Sequence, residues 1–264
     1  MKNKLSRILC TALCCAPLLA TAQTSENITS PQRLYQEGQS LFQQKAYAAA
    51  IPPLQAFVRQ IDAEGKPLPV AGERMEAEYM LVCAAYELKV LKSLDKLQAY
   101  LDEYPDTPYA NRIYALMASV YFFEGKYDEA MAMFNSARLD LLGNEERDDM
   151  TYRLATCYLK TGNVKEAAIW FETLRSTSKK YAADCTYYIS YIRYTQQRYD
   201  EAMTGFLSLQ DNAKYKALAP YYIAEIYLIK KNYDKAEIVA QNYLSAYPNN
   251  EYTAEMYRVL GDAD

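Results

Sequence analysis

At 264 residues with 51% hydrophobic content, the chain is long enough to bury a sizeable core and too apolar to be disordered. Its formal net charge of −4 leaves no basic footprint for nucleic acid or an anionic membrane surface. It has no histidine, so the commonest general base and the commonest metal ligand are both missing.

Residues 1–22 read as a secretory signal peptide. Lys2, Lys4 and Arg7 give a positive start, Ile8 to Leu19 an apolar run, and Ala20-Thr21-Ala22 a small-residue cleavage site before Gln23. The run is short for a membrane span and contains Pro17, which makes an uncleaved anchor the weaker alternative. A lipoprotein signal needs a small residue just before its lipidated cysteine. Leu9, Leu13 and Cys14 precede Cys10, Cys14 and Cys15, so the expected product is soluble and not lipidated. Cleavage leaves 26 basic against 33 acidic residues, a formal charge of −7, and no second stretch of span length. Cys83, Cys157 and Cys185 remain, an odd number with no Cys-x-x-Cys pair. They are expected to be small buried hydrophobes, with one disulfide as the alternative that export would permit.

A short linker, residues 23–30, leads into a repeat. Its anchors are Ala130, Ala167, Ala202 and Ala236, at steps of 37, 35 and 34 residues. Twelve positions before each stands another small residue: Ala118, Ala155, Ser190 and Ala224. Gly38 and Ala50 show the same separation. Two small residues so spaced, with a turn between them, let two antiparallel helices cross closely. Large apolar residues surround them at helical spacing, such as Tyr114, Met117 and Tyr121 about Ala118, or Phe134 one turn after Ala130. The turns are predicted at "EGK" (124), "TGN" (161), "QQR" (196) and "KKN" (230). Tyr127, Tyr199 and Tyr233 begin second helices, and the acidic residues that follow favour a helix N-terminus.

The order aromatic-x-x-large-small-x-x-aromatic, then Ala-x-x-x-Phe, then Pro, resembles the tetratricopeptide repeat, a 34-residue helix-turn-helix unit. The resemblance implies an all-α, right-handed superhelical solenoid over residues 31–264. Units are expected at about 31–61, 75–107, 111–144, 148–180, 183–214 and 217–250, with a partial seventh at 253–264. In the second unit Tyr79-x-x-Val82-Cys83-x-x-Tyr86 fits a first helix. The matching small residue is Ser93, only ten positions on, which predicts a turn two residues shorter. Glu37, Arg193 and Ala240 depart from the pattern, and residues 62–74 should form a loop. Tyr257-x-x-Leu260-Gly261 starts a seventh first helix that stops at Asp264 without a polar cap. The expectation is a chain continuing in a longer protein, or an open apolar end available for self-association.

Nothing in the sequence supports catalysis, a cofactor or a metal. No Gly-rich phosphate loop, nucleophile elbow or metal-spaced Cys/His set occurs. Glu145, Glu146, Asp148 and Asp149 are expected to be a solvated helix start. The 27 tyrosines are the unusual feature. Tyr114, Tyr121, Tyr158 and Tyr227 belong to packing stripes. Others fall on the face that lines the inner groove in tetratricopeptide arrays. Among them Tyr187, Tyr191 and Tyr194 form an i, i+4, i+7 ladder, flanked by Tyr152 and Tyr221 in neighbouring units. These five form the candidate strip for a protein or peptide partner, with packing between adjacent repeats as the alternative role. The expected protein is a non-enzymatic scaffold in the periplasm or cell envelope of a Gram-negative bacterium. The stretch "YPDTPYANRIY" (104–114) is similar to linkers in envelope proteins that assist outer-membrane assembly or coordinate wall constriction. The alternatives are the sensory or localising front of a longer enzyme or regulator, and a self-assembling array.

Overall fold

A computed structural model describes residues 30–62, 64–67 and 69–263. The predicted signal peptide and residues 23–29 lie outside the described residues. The described residues are all-helical, and their one extended pairing is an isolated antiparallel bridge between Ile61 and Pro67. The chain divides into two compact units, up to Lys96 and from Leu97 onward.

The first unit holds α1 (Pro31–Gln43), α2 (Tyr47–Val58) and α3 (Ala71–Glu87). Ser30 caps α1, its hydroxyl accepting from the Arg33 N–H at 3.4 Å, and Pro31 fits the first helical position because its missing N–H would find no intrahelical partner there. Gly38 faces α2 so closely that a Cβ would stand 2.5 Å from Leu54 Cγ, which is why the crossing takes glycine. The loop before α3 is pinned by Asp62, whose carboxylate accepts the N–H groups of Glu64 (3.0 Å) and Lys66 (2.7 Å). α3 begins at Ala71, inside the stretch expected to be loop.

α4 (Ser93–Glu103) spans the unit boundary. Here the structure corrects the expected short turn. The connection runs from Leu88 to Lys92 and carries two left-handed residues, Lys89 (φ 53°) and Lys92 (φ 60°). What is shortened is the helix. Ser93 is its first residue, whereas Ala130 is the fourth of its own helix. Leu97, fully buried, still follows Ser93 by four positions as Phe134 follows Ala130, so the packing register survives the deletion.

The second unit continues with α5 (Ala110–Phe123), α6 (Tyr127–Ser136), a short 3₁₀ turn (Leu139–Leu141) and α7 (Asn144–Lys160). Then come α8 (Val164–Thr177), α9 (Ala182–Thr195), α10 (Tyr199–Ser208), α11 (Ala219–Ile229), α12 (Tyr233–Ala246) and α13 (Thr253–Ala263). The turns predicted at 124, 161, 196 and 230 each occupy three residues between helices. The predicted crossings are sealed: Ala118, Ala130, Ala155, Ala167, Ala202, Ala224 and Ala236 are 0% exposed, and Ser190 is 1%. Ala240, at the position Phe134, Phe171 and Phe206 hold elsewhere, shares its cluster with Met256 and Val259 of α13, both fully buried.

Turns after α1, α3, α5, α7, α9 and α11 share one solution. After α5, Gly125 N–H bonds to Phe122 C=O and Lys126 N–H to Tyr121 C=O, and the same pair of bonds recurs at each of the others. This is the Schellman motif, which satisfies carbonyls that the helix end leaves unpaired and requires one left-handed residue. Glycine fills that position at 125 and 162, but Lys45, Lys89, Gln197 (φ 62°) and Lys231 (φ 57°) fill it elsewhere. A Cβ in this region costs about 1–2 kcal/mol, partly offset by the greater backbone entropy that glycine loses. Gln197→Gly and Lys231→Gly are each expected to stabilise by up to about 1 kcal/mol, and Gly125→Ala to destabilise by a similar amount, as read by thermal unfolding.

Candidate protein-binding face

The second unit repeats one interlock between neighbouring helix pairs. In α7, Asp149 accepts hydrogen bonds from Lys180 Nζ (2.6 Å) and the Tyr181 hydroxyl (2.9 Å), both just before α9. One repeat later Asp184 accepts from Lys214 and the Tyr215 hydroxyl, just before α11. Three residues after each aspartate a tyrosine stacks on the clamped ring: Tyr152 on Tyr181 (4.6 Å between centroids) and Tyr187 on Tyr215 (4.9 Å). Tyr221 stacks likewise on Tyr252 (5.4 Å), with Leu218 where the aspartate would stand. The same rings meet a second stacked pair, Phe171 on Tyr188 (4.9 Å) and Phe206 on Tyr222 (4.6 Å). Each aromatic cluster thus joins two consecutive repeats.

These contacts locate the five tyrosines singled out from the sequence. All are half-buried. Tyr187, Tyr191 and Tyr194 do line up on α9, and all three reach the same ring of the next repeat, Tyr222, at 6.2, 6.1 and 5.3 Å. Tyr221 adjoins Tyr222 at 5.0 Å. Tyr152 joins through Tyr188, which lies 6.1 Å from Tyr152 and 5.2 Å from Tyr187. The strip is therefore continuous along α7, α9 and α11, and its inner edges are packing contacts between repeats. The hydroxyls of Tyr191, Tyr194 and Tyr221 have no hydrogen-bond partner among the described residues. Tyr222 and Tyr188, the rings that bind the strip together, are not evident from the spacing within any one helix. Their own recurrence, 34 residues from Tyr188 to Tyr222, is the signal that finds them.

Charges around the face are mostly spent on structure. Arg193, which replaces an aromatic of the repeat pattern, bridges to Glu172 at 2.8 Å and faces Glu201 at 3.8 Å. Arg112 pairs with Glu146 at 2.8 Å. Glu146 and Asp149 of the acidic run are thereby engaged in ties between repeats, and no cluster suited to a metal ion occurs among the described residues. Cys83, Cys157 and Cys185 are buried, and burial pushes the Cys157 and Cys185 thiols up to about 12. No described helix is long and apolar enough to cross a membrane.

Burial also raises the hydroxyl pKa of Tyr152, Tyr187, Tyr215 and Tyr222, and takes Tyr243 up to about 12. An unfolded tyrosine ionises near 10, so their contribution to stability is complete below about pH 10 and lost as pH rises above it. An alkaline titration is expected to show these phenols ionising together with the loss of helical circular dichroism.

Residues 124–185 match the sequence model of the tetratricopeptide repeat family. The fold resembles the C-terminal part of a TPR repeat-containing protein from Cytophaga hutchinsonii, with a TM-score of 0.60 at 16% identity over 89% of this chain and 90% of that one. It also resembles YrrB, described as a TPR protein with an unusual peptide-binding site (0.55, 20% identity, 72% and 92% coverage). A third likeness is to pilF of Pseudomonas aeruginosa (0.56, 16% identity, 88% and 99% coverage). No curated protein matches the chain. With its sealed small-residue crossings and recurring Schellman turns, the chain has an all-α fold of helix-turn-helix repeats similar to that of tetratricopeptide repeat proteins, and residues 124–185 carry that family's sequence pattern.

Proposed function

We propose that this protein is a non-enzymatic adaptor of the Gram-negative cell envelope, exported to the periplasm, which holds a segment of a partner protein along α7, α9 and α11. The observation that carries the reading is the continuous tyrosine strip Tyr152, Tyr187, Tyr191, Tyr194 and Tyr221. Its rings are held rigid by the next repeat, so contact area comes with little loss of rotamer freedom. Three free hydroxyls at its edge can hydrogen-bond a partner's backbone. The peptide-binding site named for YrrB supports a peptide as the partner's form. Export rests on the Lys2/Lys4/Arg7 start, the apolar run and the Ala20-Thr21-Ala22 site.

The test is site-specific photo-cross-linking in cells. An aromatic photo-cross-linker replaces Tyr191 or Tyr194, with exposed Ile238 of α12 as control. One discrete cross-linked partner from positions 191 and 194, and none from 238, is the expected result. Absent or equal labelling at all three positions sinks the binding face. Amino-terminal sequencing of the periplasmic fraction should read from Gln23, and a chain retained in the cytoplasm with Met1 would sink the location.

A further inference from the structure

Away from the tyrosine strip, a cleft of about 590 Å³ opens between α6, residues 137–143 and the pair α7 and α8. It lies at the 37-residue step from Ala130 to Ala167, longer than the 35 and 34 residues of the two steps that follow, and residues 137–140 form one of its walls. Buried Phe134, Leu154 and Leu174 make the floor. Half-buried Tyr158 and Trp170 make an aromatic side. Its volume falls within the range of about 300–1,000 Å³ typical of small-molecule sites.

Two charges of opposite sign stand among the lining residues. Arg147 and Asp148 are sequence neighbours in the first turns of α7, and neighbours on a helix ordinarily point about 100° apart. Here both line the cleft with their charged groups 3.6 Å apart, too far for a good hydrogen bond. Neither side chain has another hydrogen-bond or ion-pair partner among the described residues, although the Asp148 side chain is only 16% exposed. Elsewhere the acids of this helix end are engaged: Glu146 with Arg112, Asp149 with Lys180 and Tyr181. Arg138 and Asp140, also lining the cleft, satisfy each other at 3.0 Å.

A simple anion bound here would leave Asp148 shielded from water without a partner, and a simple cation would do the same to Arg147. An occupant carrying both charges on neighbouring atoms satisfies both. We propose that the cleft binds a free α-amino acid with a large apolar side chain. Its carboxylate sits on Arg147, its ammonium on Asp148, and its side chain against Trp170 and Tyr158.

Trp170 is the only tryptophan of the chain, so its fluorescence reports on this site alone. Titration of the mature protein with L-phenylalanine is expected to give a saturable change with Kd of about 0.1–1 mM. Phenylalaninamide, which lacks the carboxylate, and 3-phenylpropanoate, which lacks the ammonium, should each bind at least about tenfold more weakly. Arg147→Gln and Asp148→Asn should weaken phenylalanine binding by a similar factor with circular dichroism unchanged. The proposal is overturned if no saturable change appears up to about 10 mM, or if the two analogues bind as well as phenylalanine. The analogue series uses the unaltered protein, so it tests the site even where a variant misfolds.

Discussion

Tyr222→Ala is expected to lower the stability of the second unit by about 3 kcal/mol and its melting temperature by about 6–12 °C. Few single rings in the protein hold so much. Tyr222 stacks on fully buried Phe206 at 4.6 Å with the planes 5° apart, and meets Tyr187, Tyr191, Tyr194 and Tyr221. Truncation opens a cavity across the joint between two repeats and removes stacking and edge-to-face contacts worth about 0.5–1.5 kcal/mol each beyond area burial. Tyr222→Phe keeps the ring and its stacking on Phe206 and loses only the hydroxyl, so at most about 1 kcal/mol is expected. Thermal unfolding followed by circular dichroism separates the two. A Tyr222→Ala protein melting within a degree or two of the parent would show that the ring is peripheral to the fold. The same variant should also slacken the three tyrosines of α9, so loss of cross-linking at position 191 is expected to accompany the loss of stability.

Gly205→Ala is the second large effect. A Cβ at Gly205 would stand 1.8 Å from the Ser190 hydroxyl oxygen and 3.1 Å from Ser190 Cβ. That oxygen is fixed, because it donates to the Thr186 carbonyl at 2.7 Å, and Ser190 is 1% exposed. One added methyl therefore separates α9 from α10 or forces the serine off its rotamer, at a cost of about 1–3 kcal/mol. In an open helix the same change would gain about 1 kcal/mol. Combining Gly205→Ala with Ser190→Gly removes the obstacle, so the pair should couple by about 2 kcal/mol in a double-mutant cycle. Simple additivity of the two changes would mean that α9 and α10 adjust their crossing freely.

How much of this is legible in the chain depends on the range of the contact. Turns and crossings lie within one repeat, and Ala130, Ala167, Ala202 and Ala236 together with "EGK", "TGN", "QQR" and "KKN" locate them to the residue. The second repeat misleads because spacing between small residues measures turn plus helix start together. Ten residues from Cys83 to Ser93 fit a short turn as well as the longer turn and clipped helix observed. The tyrosine ladder is legible because i, i+4, i+7 is a property of one helix. Its dependence on Tyr222 is hidden because that ring arrives from the next repeat, 28 to 35 residues away in sequence. The cleft leaves a trace in the 37-residue step, but a step length does not tell whether extra residues fill a gap or open one.

The ties between repeats have a consequence for how the chain reaches this structure. Gln39 to Glu76 spans 37 residues, Arg112 to Glu146 34, Asp149 to Lys180 31 and Asp200 to Lys230 30. None of these bonds closes a loop much longer than one helix pair, so the entropy lost in forming each is small and nearly equal along the array. A nucleus can form at any adjacent pair and grow in either direction, and such local wiring places the folding rate toward the fast end for a chain of this size.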